Sequence, residues 1–574
     1  MIICIAKGLS KLFSTCDKHL KIPICVRLSQ NTLFTSASMM NPKPPNVLIY
    51  SNVESTQKEL VSSLRTILAV NEYTVYPVTK QQVKTKTWPE STNLFLVHGA
   101  VESDLAKEFL DYFLLGGRLI CICSNLRSFL LPSYNSAGSL VCETINVPSE
   151  KWKNVGSQQN GEAQKDGWKQ QTNGSQSVLS LTELKTGGKA LFSEIAFTEP
   201  TESLESDSET NFKLDFFRDL LKSYFGIKIS TTKPSETLPF VNGYFLGDSR
   251  RKMHFLEQTV NPIKSGDLSL QFCNDLSSCS KPSSTLQPVL VHAIPEDFDT
   301  TEYYNYLKCS QIGRLVIYLP VASSSMTIIS SAELCHGFVI IPRQQTNGIG
   351  RSKNQWLSPK GCAMFSLQMH VPLNSPLGRR LPLIQHLVAV AIVRAIHGMA
   401  NCDKLDIHLK WPNDIYAKRI IKIGGLIINS RLQGNQAIVN IGCGLNVNNS
   451  SPTGCIDDLI REFNAQNGTD FPCLKIEQTL ALVFNEIERL YEVVQSDESG
   501  MQHLFDLYYK NWLHQDAPVT MKDAEGSEIS GVITGIDEYG YLLVKTDTRA
   551  DPFSVHPDGN SFDMMKGLII PKYF

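Results

Sequence analysis

Three segments between residues 314 and 448 gather the side chains best suited to handle a charged ligand. The first is Arg343-Gln-Gln-Thr-Asn-Gly-Ile-Gly-Arg-Ser-Lys-Asn-Gln-Trp356, which follows an apolar run. Gly348 and Gly350 let backbone approach a bound molecule closely, while Arg351 and Lys353 bring positive charge for a phosphate or carboxylate. It is not a Walker A loop, because the Gly-Lys-Ser/Thr ending is missing. The second is Leu405-Asp-Ile-His-Leu-Lys-Trp-Pro-Asn-Asp414. Leu405, Ile407, Leu409 and Trp411 alternate with Asp406, His408 and Lys410, which predicts a strand with Lys410 on its polar face. Pro412 ends that strand and presents Asn413 and Asp414 at its carboxyl end, where α/β sheets commonly contact ligands. The third is Lys422-Ile-Gly-Gly-Leu-Ile-Ile428, followed by Asn440-Ile-Gly-Cys-Gly-Leu-Asn-Val-Asn448. Here a lysine precedes a Gly-Gly that opens a strand, and a second glycine-punctuated strand ends at Asn446. Taken singly, each segment also reads as something plainer: a basic loop, a polar turn, or a solvated lysine beside sheet-packing glycines.

Positioning these groups takes a framework of strands and helices. Apolar runs predict strands at 315–319, 337–341, 405–411, 425–428 and 437–441. Pro382 opens a predicted helix to about His397, where its missing N–H costs nothing in the first turn. A second helix, over 474–494, carries Ile476, Leu480, Val483, Ile487, Leu490 and Val494 on one face, a core-packing stripe. Short β segments at 519–521, 531–536, 541–545 and 553–556, separated by turns such as Asp537-Glu-Tyr-Gly540, predict a small C-terminal barrel. Upstream, strands at 47–50, 94–97 and 119–123 alternate with a helix at 105–115, which predicts a parallel α/β sheet. Polar tracts at 154–189 and 199–210 read as linkers, and an amphipathic helix is expected from Leu214. The expected division is an extension at 1–44, an α/β domain at 45–300, a catalytic domain at 310–515 and the barrel at 516–574.

A chain of 574 residues has room for three or four domains at a prior of ~100–200 residues each. Its formal net charge of −2 offers no positive field for nucleic acid, which argues against DNA as partner. No apolar run reaches about 18 residues, so a membrane-crossing helix is not expected. The 15 cysteines include no Cys-x-x-Cys pair, which points to free thiols in a reducing compartment. Lys7, Lys11, Lys18, Lys21 and Arg27 face only Asp17 in a Ser/Thr-rich start. That composition suits a mitochondrial presequence, or an extension with no address. Met39 and Met40 sit where a second start would remove it, so a cytoplasmic and/or mitochondrial location is expected.

Taken in order, the Gly-x-Gly-Arg loop, Lys-Trp-Pro-Asn-Asp, Lys-x-x-Gly and Ile-Gly-x-Gly-x-Asn resemble the catalytic domain of biotin–protein ligases. His556-Pro-Asp-Gly-Asn-Ser-Phe-Asp563 is similar to the eukaryotic holocarboxylase synthetase form, and the likeness spans about residues 310–574. It implies a mixed-sheet, class II synthetase-like catalytic domain and an SH3-like C-terminal barrel. It also implies an ATP-dependent ligase that, with Mg²⁺, makes biotinyl-5'-AMP and passes biotin to a lysine of the biotin carboxyl carrier domain of carboxylases. By the same resemblance, Ser324, Ser325 and Met326 meet the ureido ring of biotin. Gln345 and the loop Gly348, Ile349, Gly350 and Arg351 close over biotin and adenylate. Arg351 attends the phosphate, Trp356 orders the loop, and Lys422, beside Gly425, contacts the activated carboxyl. Lys410, Asn413 and Asp414 line the ATP side, and Asn446 the adenine region.

Two departures stand out from the family pattern. Ile349 replaces a frequent Arg or Lys, and Ser352-Lys353 replaces a frequent Gly-Gly, so loop closure is expected to differ. Farther upstream, Gly116-Gly-Arg-Leu-Ile-Cys-Ile-Cys123 resembles the glutamine-amidotransferase-like domain of some eukaryotic ligases. Cys121-Ile-Cys-Ser-Asn125 lacks the glycines of a nucleophile elbow, so Cys123 is expected to be a buried structural thiol. Three rival readings remain: a lipoate or octanoyl ligase of the same fold, a DNA-binding repressor, and a noncatalytic scaffold.

Overall fold

In a computed structural model the chain forms two compact units, one built on Pro45–Pro234 and the other on Ser235–Phe574. The structure describes residues 43–571 except 70, 85–87, 130–140, 149–176, 195–214, 231–238, 352–353, 400–401, 523–527, 548, 550, 558–559 and 564–567. The expected N-terminal extension up to residue 42, residues 154–176 and 199–210 of the expected polar linkers, and Ser352-Lys353 fall outside the described residues. Among the described residues no helix is long and apolar enough to cross a membrane.

In the first unit the strands are β1 (Asn46–Ser51), β2 (Thr74–Pro77), β3 (Thr92–His98), β4 (Arg118–Ile122), β5 (Val141–Pro148), β6 (Ser177–Leu184) and β7 (Lys189–Ser193), in the order β2-β1-β3-β4-β7-β6-β5. Pairing is parallel from β2 through β7 and antiparallel beyond. Runs such as Val47-Leu-Ile-Tyr50 in β1 are continuously buried because both faces of the sheet are covered. Helix α1 (Glu54–Ile67) packs Leu60, Leu64 and Ile67 on one side, and α2 (Ser103–Leu114) packs Leu105, Phe109 and Phe113 on the other. Strand β6 lies in the stretch read as linker from composition; its Ser and Thr alternate with apolar residues and belong to the sheet.

A correction concerns Cys123. It is exposed, and its backbone is left-handed with φ 49°. Its Sγ donates to the Glu194 carbonyl at 3.5 Å. A non-glycine residue can hold this conformation when its surroundings over-determine it. Here the Cys123 N–H is tied to the Ser193 carbonyl at 2.7 Å.

The second unit begins earlier than composition suggested. Strands β8 (Gly243–Leu246), β9 (Ile263–Ser265), β10 (Leu268–Cys273) and β11 (Leu286–Leu290), expected in the first domain, join β12 (Val316–Ala322) in one eleven-stranded sheet. The join is antiparallel pairing of β8 with β12, sealed by Phe245 against Phe255, Phe272 and Phe338. Continuing from β12 come β13 (Phe338–Gln345), β14 (Cys362–Pro372), β18 (Gln436–Asn446), β17 (Ile421–Gln433), β16 (Asp414–Ala417) and β15 (Ile407–Lys410). The sheet is mixed, with β12 and β13 parallel and β14 to β18 antiparallel. Helix α3 (Ser325–Ser331) follows β12. Behind the sheet lie α4 (Leu383–His397) and α5 (Ile476–Ser496). Helix α4 is apolar on almost every side, with Ala389, Ala391 and Ala395 giving close approach, so it is buried on all faces. It starts one residue after Pro382, as the proline predicted.

The last strands are β19 (Pro518–Lys522), β20 (Glu528–Ile536), β21 (Leu542–Thr546), β22 (Phe553–Val555), β23 (Asn560–Asp563) and β24 (Leu568–Pro571). Four of them, β19 to β22, form an antiparallel meander, and β24 adds to β19 in parallel. Gly540, at the turn between β20 and β21, accepts at its carbonyl from Trp411 Nε1 and His386 Nε2, each at 3.0 Å. This joins the small sheet to the start of the Pro412-Asn413-Asp414 turn.

Candidate active site

A cleft opens where β12 and β13 end, walled also by residues of β14, β17 and β18 from the same sheet. Ser324, Ser325, Met326, Gln345, Ile349, Gly350, Arg351, Trp356, Asn413, Lys422 and Gly425 all line it. Ser324 and Gly425, 101 positions apart, are among the residues brought to one place by strand pairing.

The neutral end is built by two loops leaving parallel strands. Ser324 caps α3, its side chain accepting from the Thr327 N–H at 3.4 Å. The Ser325 N–H donates to Gln345 Oε1 at 2.8 Å, and its hydroxyl does so at 3.2 Å. The two loops are stitched together by Thr346 N–H to the Ala322 carbonyl and Asn347 N–H to the Ser323 carbonyl. Beyond Gln345 the chain doubles back: Gly350 N–H donates to Asn354 O at 2.7 Å and Trp356 N–H to Gly348 O at 2.8 Å. Gly348 has no room for a side chain, since a Cβ would stand 2.5 Å from the Trp356 carbonyl. The Arg351 guanidinium donates to the Pro557 carbonyl, just beyond β22.

Gly425 and Gly444 face each other across β17 and β18, and the indole of Trp356 lies on them. A Cβ on Gly444 would sit 2.3 Å from the ring. Gly425 and Gly444 thus form a flat seat for an aromatic plane, while Gly424 packs against Leu445 and Ile415 and Gly442 against Ile427 and Met326. Lys422 Nζ lies 5.8 Å from the centre of the same ring.

The charged end is centred on Asp414. Lys422 Nζ is 2.7 Å from its Oδ1 and Lys410 Nζ 3.9 Å from its Oδ2. Burial pushes the Asp414 carboxyl up, but Lys422 and Lys410, with Lys43 adding less, pull it below the ordinary aspartate value, so it is ionised. The expectation of a polar, outward Lys410 is corrected: its side chain is only 8% exposed, with Nζ 5.3 Å from the centre of the Tyr416 ring. The strand alternates as its sequence predicts, but both of its faces are covered, and the Lys410 stem packs while its charge meets Asp414. Asn413 holds the turn by donating to the Leu426 carbonyl at 2.6 Å.

Gly348, Lys410 and Asp414 lie behind the lining. Asn446 does not join it: buried at the end of β18, it donates to Thr453 Oγ1 at 2.8 Å. Phe365, Ser366, Leu426, Ile427, Gly442, Cys443 and Gly444 complete the wall. None of these seven was singled out from sequence as a ligand contact. The signal available for one of them was a lone Ser366 inside the apolar run Cys-Ala-Met-Phe-Ser-Leu.

Among the described residues no group of three His, Cys, Asp or Glu could hold a metal ion. Asp414 spends both oxygens on lysines. This donor set fits a Mg²⁺ carried chiefly by the phosphates of a nucleotide rather than one caged by the protein.

Residues 318–446 match the Biotin/lipoate A/B protein ligase family and residues 516–567 the Biotin protein ligase C terminal domain. Fold and cleft therefore belong to the class of protein ligases that handle biotin or lipoate. Over 92% of its length the chain is 29% identical to "Biotin--protein ligase" of Homo sapiens, covering 78% of that protein. It is 34% identical to "Biotin--protein ligase 2" of Arabidopsis thaliana, over 50% of this chain and 88% of the relative. Against "Biotin--protein ligase 1, chloroplastic" of the same plant it is 33% identical over 50% of this chain and 79% of the relative. The chain is a member of the biotin–protein ligase family.

Proposed function

We infer that the protein is an ATP-dependent biotin–protein ligase. The observation that carries this reading is a single cleft with a neutral hydrogen-bonding end (Ser324, Ser325, Gln345) and a cationic end (Lys422, with Lys410 behind it, and Arg351). A ring with N–H and C=O groups suits the first end; a carboxylate meeting a phosphate suits the second.

In the first half-reaction the biotin carboxylate attacks the α-phosphorus of ATP, a P–O bond forms, and pyrophosphate leaves. Two anions are forced together, so cations are needed where charge accumulates. Lys422 supplies one, steadied by Asp414. Arg351 supplies another once it leaves the Pro557 carbonyl. In the second, the ε-amine of an acceptor lysine attacks the biotinyl carbonyl, AMP leaves, and an amide is formed. The loop from Gly348 to Trp356 shields the mixed anhydride from water between the two steps. Mg²⁺, where bound, neutralises part of the triphosphate.

The acceptor we propose is a biotin carboxyl carrier domain of a carboxylase. We also read the large sheet as class II synthetase-like, the small one as an SH3-like barrel, and the first unit as glutamine-amidotransferase-like with a part in acceptor choice. Mixed strand order, the C-terminal meander and the five parallel strands support these readings. Removing residues 1–234 should alter the ranking of acceptors; an unchanged ranking rejects the last.

The test is biotin-dependent exchange of labelled pyrophosphate into ATP, with biotinyl-AMP identified directly and lipoate offered in parallel. Exchange with biotin and little with lipoate is expected. Exchange with lipoate alone would favour the rival ligase, and exchange with neither would end the proposal.

A further inference from the structure

Ser366, in the middle of β14, is fully buried and yet forms part of the cleft wall. Its hydroxyl donates to Ser325 Oγ at 2.9 Å. Ser325 donates onward to Gln345 Oε1, and Gln345 Nε2 donates to Ser358 Oγ at 3.2 Å and to Met364 Sδ at 3.3 Å. Ser358 Oγ in turn donates to the Trp356 carbonyl at 3.5 Å. From Ser366 through Ser325 and Gln345 to Ser358 the protons point the same way, from β14 towards the loop, while a further Gln345 N–H returns to Met364 on β14.

The direction is forced. Gln345 Oε1 takes the Ser325 backbone N–H at 2.8 Å, so the oxygen of its amide must face Ser325 and the nitrogen must face Ser358. Because an amide oxygen can only accept, the Ser325 hydroxyl must give its proton to it. Ser325 Oγ then has only lone pairs left: one receives Ser366, and the other remains to accept from a molecule in the cleft that Ser325 lines. Without Ser366 the Ser325 hydroxyl keeps only its longer, 3.2 Å bond to Gln345, and rotation about its side chain can then offer a proton where an acceptor is wanted.

We propose that Ser366 is a positioning residue for ligand choice: it holds Ser325 as a hydrogen-bond acceptor and so favours a ring that brings N–H donors, a cyclic urea, over a dithiolane that has none. This rests on the biotin-ligase reading. A site arranged as an acceptor gains from a ring N–H and loses when a ring without one leaves it unpaired.

The experiment uses the full chain, with Ser366→Ala and Ser366→Thr compared in pyrophosphate exchange. In Ser366→Ala the KM for biotin should rise about 3- to 10-fold, the loss of one buried hydrogen bond. KM for ATP and turnover at saturating biotin should stay at wild-type values. Threonine, which keeps the hydroxyl, should restore the biotin KM to within about 2-fold. The ratio of biotin to lipoate KM should shift by the same factor, since lipoate offers nothing to Ser325. An unchanged biotin KM overturns the proposal, as does a loss shared equally with ATP or a failure of threonine to rescue. Should the alanine variant not fold, Ser366→Cys, a weaker donor, must show the same selective rise in smaller measure, and equal KM values there also overturn it. A wild-type protein with no biotin-dependent exchange removes the ligase reading and this inference with it, whereas an active wild type with an indifferent Ser366→Ala removes the inference alone.

Discussion

The two ends of the cleft hold their side chains by different physics. At one end, Ser366, Ser325, Gln345 and Ser358 are neutral, and each is oriented by a neighbour. At the other, one carboxylate stands among lysines, and the cluster keeps a net positive charge awaiting an anion. Neutral bonds inside a protein are worth about 0.5–1.5 kcal/mol net each, so the first end can select without being indispensable. Charges removed from water are costly unless paired, so the second end fails badly when one partner is lost. Under the proposed function, recognition and catalysis are separated along one pocket, and substitutions at the two ends should carry different signatures.

The largest effect should come from Asp414→Asn. Taking the carboxylate from between Lys410 and Lys422 leaves like charges facing each other, at a cost of about 3–5 kcal/mol in stability by analogy with broken buried pairs. The pH dependence has a definite sign. Because the folded state holds the Asp414 carboxyl below its ordinary value, its stabilisation is present above about pH 4 and fades as pH falls through the lower folded value. Urea unfolding should therefore show a gap between wild type and variant that narrows only below about pH 4. A gap independent of pH would mean that Asp414 acts by packing.

Next in size is Lys422→Ala. If Lys422 steadies charge that develops only during adenylation, turnover should drop by about 10²–10³, or about 2.7–4 kcal/mol in the barrier. The KM for biotin should change little, the reverse of the pattern expected for Ser366→Ala. Single-turnover formation of biotinyl-AMP measures this, and a loss confined to the biotin KM would erase the distinction between the two ends.

Much of the charged end was legible from sequence, because glycines, a proline and cations at fixed spacing carry their reasons locally. Lys422, Gly425, Asn413 and Asp414 arrive together through the hairpin of β16 and β17, whose register spans few residues. The neutral end was half legible. Ser324 and Ser325 stand at a strand end, but Ser366 acquires its role only through β14, an almost continuously apolar strand with no alternation to reveal which side faces the cleft. Asn446 differs: its position in the motif suggests a ligand contact, whereas in the structure it stands outside the cleft lining with its amide nitrogen donating to Thr453 and Gly454. The boundary near residue 300 failed for a similar reason, since pairing of β8 with β12 joins residues 70 positions apart. Cys123 was misjudged because strain at φ 49° is held by contacts from β7 and leaves no glycine in the sequence to announce it.

A third way to probe the charged end is through what lies behind it. The Trp411 N–H donates to His514 Nε2 at 3.1 Å, which requires that nitrogen to be unprotonated, and His386 reaches the Gly540 carbonyl that Trp411 also uses. Burial presses His386 down to about 4; burial, with Lys410, presses His514 down to about 3. Both folded values lie below the unfolded one, so the stability they lend is complete above about pH 6.5 and is lost as pH falls towards the folded values. His386→Gln keeps an N–H donor and cannot titrate. It should flatten the loss of stability between pH 7 and 4.5 by on the order of 2–3 kcal/mol. Some slope should persist, because burial also lowers His336, His370 and His397. Parallel denaturation curves for the two proteins at both pH values would rule out His386 as a source of the acid sensitivity.

The smallest effect should come from Ile349→Arg, which restores the family's more frequent charge. Ile349 lines the cleft on the loop that carries Arg351, and its backbone bridges to Gln355, so a longer side chain can extend without moving the turn. The site already holds Lys422 and Arg351, and an added cation on a half-exposed loop gains about 0.5–1 kcal/mol against an anion before salt screening. Release of biotinyl-AMP should slow by about 2- to 5-fold, with the effect fading at high salt. A chase experiment with excess unlabelled biotin and ATP measures that rate directly. Slowing by more than about tenfold would mean that the arginine makes a buried, paired contact, and the loop would then belong with the charged end as a fixed element instead of a movable one.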